Sequence, residues 1–284
     1  MIHLESFKEV ASKYETIFFD AFGVLKNHKG FIPGIEQTFN YLDEQGIDYY
    51  IVTNDASRGP IELAQSYQSN GIKQITVDRI ISSGMLAREY LRLKISSGSI
   101  AYLGTKESAH YIETLGLKTI SIKDVDLDHS DTISALVFFD DEGFDWREDI
   151  NKAVNLLRKE NIPTIVANTD ISYPVSQHEV AVAAGGLAKM VETIVGKEFI
   201  RFGKPDPQMF MFAYEHAIKK GGTLNKRKIL MVGDTLYTDI VGGDKFGLDT
   251  VLVLTGNTLA KNADMRINSL GIVPTYICES VAVQ

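Results

Sequence analysis

The chain alternates short, almost wholly apolar runs with stretches of helical periodicity, and each apolar run ends near a polar residue. Such runs occur at residues 16–19, 49–52, 229–232 and 250–254. A strand without polar alternation is typical of a parallel sheet, which is buried on both faces by crossover helices. The pattern therefore predicts a doubly wound, Rossmann-like parallel α/β sheet. Ligands of such sheets bind at the carboxyl ends of the strands.

A second alternating series lies between these two blocks. Its apolar runs are residues 100–103, 135–139 and 164–167. Together with the helical stretches between them they suffice for a smaller sheet with its own core. We therefore predict a core formed by residues 1–85 and 183–284, with an inserted smaller α/β cap domain at residues 86–182. Aromatic residues of this cap make a homodimer a further expectation.

Composition and charge restrict the classes of function. Lys plus Arg number 29 and Asp plus Glu number 37, and the resulting net charge of −8 disfavours binding to nucleic acid or to an anionic membrane. The single cysteine, Cys278, cannot form an internal disulfide, and no apolar run is long enough to cross a bilayer. The first residues lack the apolar stretch of a signal peptide. We expect a cytoplasmic protein that binds a small ligand.

Two polar groups stand where the first predicted strands end. Asp20 follows residues 16–19 and precedes a turn with Gly23, so its carboxylate is held on a rigid support, as a nucleophile or a metal ligand would be. An Asp that caps the next turn has the same local pattern. Thr53 and Asn54 end the second strand, where they can donate hydrogen bonds to an anion or cap the following turn.

Two further groups come late in the chain. Lys204 stands between a glycine and a proline just before a helix, and a rigid ammonium there can neutralise a phosphate or a carboxylate. Asp234 and Asp239 lie five residues apart across a strand-to-helix turn, a pairing that suits Mg²⁺. Carboxylates at a helix N-terminus have the same pattern without any metal. No single group of the four decides a function.

In this order, on a doubly wound pattern, the four groups resemble those of the haloacid dehalogenase superfamily, and the resemblance covers nearly the whole chain. The interval from Asp20 to Thr53 is 33 residues, too short for an inserted domain, whereas the interval from Thr53 to Lys204 is 151 residues and must contain the cap. This arrangement, with Asn-Thr-Asp at residues 168–170, is similar to the class IIA branch. That branch contains NagD-like nucleotide and sugar phosphatases and pyridoxal phosphate phosphatases.

The resemblance implies a Mg²⁺-dependent phosphatase that acts on a small phosphorylated metabolite. Asp20 would attack phosphorus and form an aspartyl-phosphate, with Thr53 and Lys204 completing the catalytic set. The groups implied in metal binding are Asp20, Asp234 and the backbone carbonyl of Phe22. Those implied in phosphate or substrate binding are Ala21, Phe22, Thr53, Asn54, Asp55 and Lys204. Asp239 would hold a water on the metal or position Lys204.

Phe22 departs from the pattern of the superfamily. Active phosphatases of the superfamily usually carry Asp at this position, which protonates the leaving oxygen and later deprotonates the attacking water. A phenyl ring does neither, and positioned proton transfer contributes about 10²–10⁴ in rate. Either His28, Asp55 or Asp170 supplies this function, or a good leaving group, as in an aryl or acyl phosphate, makes it unnecessary.

Two other functions are open on the sequence alone. A binding or regulatory protein would keep the phosphate and metal residues without turnover, and Phe22 favours it. A haloacid dehalogenase has a similar Asp-x-aromatic-Gly motif and releases a halide that needs no proton. Its cap, however, lies in the first interval and it needs no Mg²⁺, whereas Asp234 and Asp239 are both present here.

Overall fold

The structure is a computed structural model that describes residues 1–176, 179–221 and 223–283. Strands β1 to β16 are Ile2–Leu4, Thr16–Phe19, Lys26–Asn27, Gly30–Phe31, Asp48–Thr53, Ile80–Ser82, Ser99–Leu103, Lys118–Ser121, Ile133–Phe138, Thr164–Val166, Ser172–Pro174, Val180–Val182, Ile200–Arg201, Ile229–Gly233, Asp249–Val253 and Tyr276–Cys278. Helices α1 to α10 are Lys8–Ala11, Ile35–Gln45, Pro60–Ser69, Ser83–Lys94, His110–Glu113, Glu148–Lys159, Ala184–Val195, Pro207–Gly221, Val241–Phe246 and Ala263–Leu270. Among the described residues, no helix combines the length and the apolar character that a membrane span requires.

Seven strands form the larger sheet, in the order β1-β16-β15-β14-β2-β5-β6, and all of its pairings are parallel. The chain proceeds from β2 outward to β5 and β6, and later from β14 outward to β15 and β16 in the opposite direction. This reversal next to β2 is the switch point of a doubly wound sheet, where ligand sites form. The predicted α/β fold class is confirmed.

Apolar side chains cover both faces of the larger sheet. In β2, Ile17 and Phe19 pack into one cluster with residues of α2 and α3, whereas Phe18 packs on the opposite face with Met209 and Phe210 of α8. Successive side chains of a strand point to opposite faces. All four residues of β2 are therefore buried, which explains the missing polar alternation in the sequence.

Five parallel strands form the smaller sheet, in the order β13-β10-β9-β7-β8. One face of this sheet packs against α6 and α7, and the other packs against α4 and α5. The strands expected at residues 100–103, 135–139 and 164–167 correspond to β7, β9 and β10 to within two residues.

The extent of this smaller unit differs from the sequence interpretation. β13 pairs with β10, and Leu187 of α7 lies in the core of the smaller sheet, although both elements follow residue 182. The predicted start at residue 86 falls within α4, whose Ala87 packs against the other face of the same sheet. The division into domains stays a prediction. From these contacts we propose that the insertion ends near residue 201 rather than at 182.

Candidate active site

Three adjacent parallel strands bring three of the predicted residues together. Asp20 follows β2, Asp234 follows β14 and Thr53 ends β5, and β2 lies between the other two strands in the sheet. Two residues after β14 ends, a helical turn begins, and this turn carries Asp239. Carboxylate oxygens of Asp20, Asp234 and Asp239 lie within 4.8 Å of one another.

Lys204 joins this acidic group from the segment after β13. Its side chain is 2 % exposed, and its Nζ lies 2.6 Å from Asp20 Oδ1 and 2.8 Å from Asp239 Oδ1. Burial alone would lower the pKa of Lys204, but the negative charges of Asp20 and Asp239 outweigh it and raise this pKa above its ordinary value. Lys204 is therefore a permanently charged ammonium between two carboxylates.

Asp234 is buried between two glycines. A Cβ added at Gly23 would lie 2.1 Å from Asp234 Oδ2, and one added at Gly256 would lie 1.9 Å from the same atom. Only glycine allows so close an approach of the backbone to the carboxylate. The carboxylate also accepts hydrogen bonds from the backbone N–H of Asn257 and from the hydroxyl of Thr235. These contacts fix its orientation toward Asp20.

The acidic group has the charge and the donor atoms of a divalent-cation site. Burial and the negative charges of Asp239 and Asp20 raise the pKa of Asp234 well above its usual range. With all three carboxylates ionised, three negative charges would face one ammonium, and an excess of two would remain. A hard cation such as Mg²⁺ binds carboxylate oxygens and would neutralise this excess. Lys204 engages one oxygen each of Asp20 and Asp239, and among the described residues it forms no ion pair with Asp234.

Phe22 lines a cavity of about 550 Å³ together with Asp20 and Thr53. The half-buried ring makes an edge-to-face contact with Tyr173 of β11, with 6.3 Å between ring centroids and an interplanar angle of 77°. The hydroxyl of Tyr173 donates a hydrogen bond to Asp141 at 3.0 Å. An aromatic wall shared by the two units thus stands at the position where the resemblance implies a carboxylic acid.

Two of the three side chains expected to replace that acid line the cavity. Asp55 and Asp170 do so, whereas His28 lies exposed in the turn between β3 and β4 and does not. His28 stays a prediction: Lys26 of the same hairpin lines the cavity, whereas His28 in its turn is not among the lining residues. Asp55 accepts hydrogen bonds from the backbone N–H and the hydroxyl of Ser57, and its other oxygen lies 4.0 Å from Lys26 Nζ.

Burial and the negative charge of Asp20 raise the pKa of Asp170 to about 6. One carboxylate oxygen of Asp170 accepts a hydrogen bond from Asn54 Nδ2 at 2.9 Å. The same nitrogen lies 3.0 Å from Thr169 Oγ1 and 3.1 Å from the carbonyl oxygen of Lys204, and Asn54 Oδ1 accepts the backbone N–H of Lys204 at 2.7 Å. The side-chain amide of Asn54, which we expected to bind phosphate, is therefore hydrogen-bonded to protein groups. The segments that follow β10 and β13 supply these groups.

Several residues of the cavity carried no signal in the sequence. Tyr173 and Asp140 come from the smaller unit, and Asn257 follows β15. Burial raises the pKa of Asp140 to about 7. Nothing in the local pattern around these residues indicates a site, because they reach it only through long-range packing.

The fold and the site define a doubly wound α/β protein with a cluster of carboxylates around a buried lysine at the carboxyl edge of its larger sheet. Two family models match the chain, haloacid dehalogenase-like hydrolase at residues 17–118 and HAD-hydrolase-like at residues 201–283. A crystal structure from Cytophaga hutchinsonii, described as a possible sugar phosphatase of the HAD superfamily, is 57% identical, covers 100% of both chains and has a TM-score of 0.94. Chronophin from Mus musculus is 28% identical over 97% of this chain and 93% of its own length. NagD from E. coli K-12 shares the fold at 22% identity, with a TM-score of 0.74 over 96% of this chain and 98% of its own.

The chain belongs to the haloacid dehalogenase superfamily, and within it to the NagD-like phosphatases of class IIA. It is thus a hydrolase of the phosphatase type. The resemblance drawn from the four strand-end groups is confirmed. The roles of individual site residues stay proposals.

Proposed function

We propose that this protein is a Mg²⁺-dependent phosphatase that hydrolyses a small phosphorylated metabolite through an aspartyl-phosphate on Asp20. The observation that carries the proposal is the 2.6 Å ion pair between Asp20 and the buried Lys204, beside the carboxylate of Asp234. An anionic nucleophile approaches an anionic phosphoryl group only if their charges are offset, and Lys204 offers that charge at the reacting oxygen.

In the first step an oxygen of Asp20 forms a bond to phosphorus while the bond from phosphorus to the leaving oxygen breaks. Water then attacks phosphorus, which releases inorganic phosphate and restores Asp20. Two easier displacements replace one difficult displacement. The hydroxyl of Thr53 accepts the backbone N–H of Asp55 at 3.1 Å, which leaves its own proton for a phosphoryl oxygen. Ala21 and Asp55 line the same cavity and are proposed to contact the substrate.

Mg²⁺ held by Asp20, Asp234 and the carbonyl of Phe22 would supply positive charge to the phosphoryl oxygens. The chain supports such a site through the two glycines that close on Asp234, while Asp239 shares the ammonium of Lys204 with Asp20. With its three carboxylates ionised, this group has an excess of two negative charges, which supports a divalent rather than a monovalent ion.

A leaving group that departs without a proton suits this cavity best. Phe22 supplies no proton, and its contact with Tyr173 makes the adjacent wall apolar. We therefore propose that aryl or acyl phosphates are hydrolysed much faster than alkyl phosphates. The carboxyl of Asp170 lines the cavity and is our candidate for the slower protonation of alkyl leaving groups.

The test is hydrolysis of p-nitrophenyl phosphate with and without Mg²⁺, using Asp20→Asn as the matched control. We expect turnover that requires the metal and that the isosteric substitution abolishes. Equal background rates in the unsubstituted chain and in Asp20→Asn would exclude the phosphatase mechanism and leave a phosphate-binding protein. Release of halide from a haloacid without Mg²⁺ would instead favour dehalogenase chemistry.

A further inference from the structure

The buried side-chain amide of Asn54 contacts both segments that leave the smaller sheet, one of which carries Lys204. Asn54 follows β5 and is 1 % exposed. Thr169 and Asp170 follow β10, and Lys204 follows β13. The side chain of Asn54 is within hydrogen-bond distance of all three residues, and the hydroxyl of Thr169 donates to the carbonyl of Lys204 at 2.6 Å.

Asn54 holds the backbone of Lys204 from both sides. Its Oδ1 accepts the N–H of Lys204 at 2.7 Å, and its Nδ2 lies 3.1 Å from the carbonyl oxygen. The preceding Gly203 has a φ of 129°, and a Cβ there would lie 2.6 Å from Asn54 Oδ1, so this approach requires glycine. The main chain of Lys204 therefore cannot rotate without breaking buried hydrogen bonds, whose polar groups would be left without a partner.

Asn54 itself is fixed through its main chain. The hydroxyl of Ser83, the first residue of α4, donates a hydrogen bond to the carbonyl of Asn54 at 2.9 Å. This hydrogen bond is buried and does not involve the side-chain amide of Asn54. Ser83 and the amide of Asn54 can therefore be perturbed separately.

We propose that Asn54 is a positioning residue of this phosphatase, whose amide sets the place of Lys204 relative to Asp20 instead of binding phosphate. The inference rests on the proposed function, since it concerns the counter-charge of the nucleophile. Lys204 Nζ lies 2.6 Å from Asp20 Oδ1, and a misplacement of about 1 Å at a reacting centre costs on the order of 10²-fold in rate. The loss falls on the transition state, where the charges of nucleophile and phosphoryl group are closest, more than on the complex with inorganic phosphate.

The test compares Asn54→Asp with Ser83→Ala. Asn54→Asp keeps the shape of the side chain and the acceptor for the N–H of Lys204, removes both amide donors and adds a negative charge beside Asp170. Thr169→Val, described below, adds no charge and controls for this effect. Ser83→Ala removes a buried hydrogen bond to the same residue and keeps every contact of the amide. With Mg²⁺ present, calorimetry gives the dissociation constants of orthovanadate, which mimics five-coordinate phosphorus, and of inorganic phosphate. Turnover of p-nitrophenyl phosphate and thermal unfolding are recorded for the same samples.

We expect Asn54→Asp to lower kcat/KM by about 10²-fold and to weaken binding of vanadate about tenfold more than binding of phosphate. In Ser83→Ala the ratio of the two dissociation constants should equal that of the unsubstituted chain. Lower unfolding temperatures in both variants with an unchanged ratio in both would mean a purely structural role and would overturn the proposal.

Thr169→Val gives the same measurement if Asn54→Asp does not fold, because it removes the hydroxyl that donates to the carbonyl of Lys204. The same change of ratio, of smaller size, is expected there, and an unchanged ratio would count against the proposal. A chain without any turnover would refute the proposed function alone, because the two dissociation constants report on Asn54 independently of catalysis.

Discussion

Introducing a carboxyl at position 22 is the most direct test of whether the site lacks a proton donor for the leaving group. Phe22→Asp removes the edge-to-face contact with Tyr173, which is 6.3 Å between centroids and worth about 0.5–1.5 kcal/mol of stability. It adds a proton donor in the cavity that Asp20 lines, and the like charge of Asp20 would raise the pKa of the new carboxyl and favour its protonated form. Proton transfer contributes about 10²–10⁴ in rate, equivalent to about 2.7–5.4 kcal/mol of barrier. The gain should appear in the rate with a substrate that needs a proton, and the loss of packing should appear separately in the free energy of unfolding.

The assay is kcat/KM for a series of phosphate monoesters, plotted against the pKa of the leaving alcohol or phenol. We expect the unsubstituted chain to show a steep dependence and Phe22→Asp to raise the rates of alkyl esters by about 10²-fold or more, with less than about tenfold change for aryl esters. Phe22→Asn is the matched control, because it has the same shape without the acid. Equal rates for aryl and alkyl esters in the unsubstituted chain, or an equal gain in Phe22→Asn, would refute the reasoning.

Four other substitutions make separate predictions. Lys204→Met leaves Asp20 without its counter-charge and should lower kcat for p-nitrophenyl phosphate by about 10³-fold while the protein stays folded, as circular dichroism will show. Asp234→Asn should raise the Mg²⁺ concentration for half-maximal activity at least about tenfold and raise the unfolding temperature without metal, because a buried repulsion is relieved. The pKa of Asp140 is raised to about 7 in the folded protein, so this carboxyl lowers the free energy of unfolding as pH rises from about 4 to 7. Asp140→Asn should remove this decline, which is on the order of 1–2 kcal/mol after solvent screening. Denaturant unfolding at several pH values measures it. Asp170→Asn should slow alkyl esters about tenfold or more and leave aryl esters nearly unchanged in the same ester series, and equal losses would exclude it as a proton donor.

The centre of the site was predictable because local pattern and sheet geometry act together there. An apolar run followed by a polar residue is visible in the sequence at Asp20, Thr53 and Asp234. Parallel pairing then brings the carboxyl ends of β14, β2 and β5 to one edge, whatever the loops do. Lys204 was found from its flanking glycine and proline rather than from a strand, since β13 has only two residues and no apolar run, and only the resemblance linked it to Asp20.

The surroundings of the centre were not predictable, because their contacts join residues that are distant in the chain. Tyr173 reaches Phe22 from the smaller unit, and the partners of Asn54 lie 115 to 150 residues further along the sequence. No local signal distinguishes an amide that binds phosphate from one that holds a backbone. The sequence of α7 likewise shows an apolar face but does not indicate on which of the two sheets that face packs.

The charges of the site explain how a chain with a net charge of −8 can bind an anionic substrate. The ammonium of Lys204 is buried between Asp20 and Asp239, and both carboxylates raise its pKa, so its charge persists throughout the neutral range. Folding therefore supplies one fixed positive charge, and with all three carboxylates ionised the excess of two negative charges is one that a divalent cation would neutralise. Local arrangement of charge thus outweighs net charge, because a buried counter-ion acts at 2.6 Å while the surface acids act through solvent and salt.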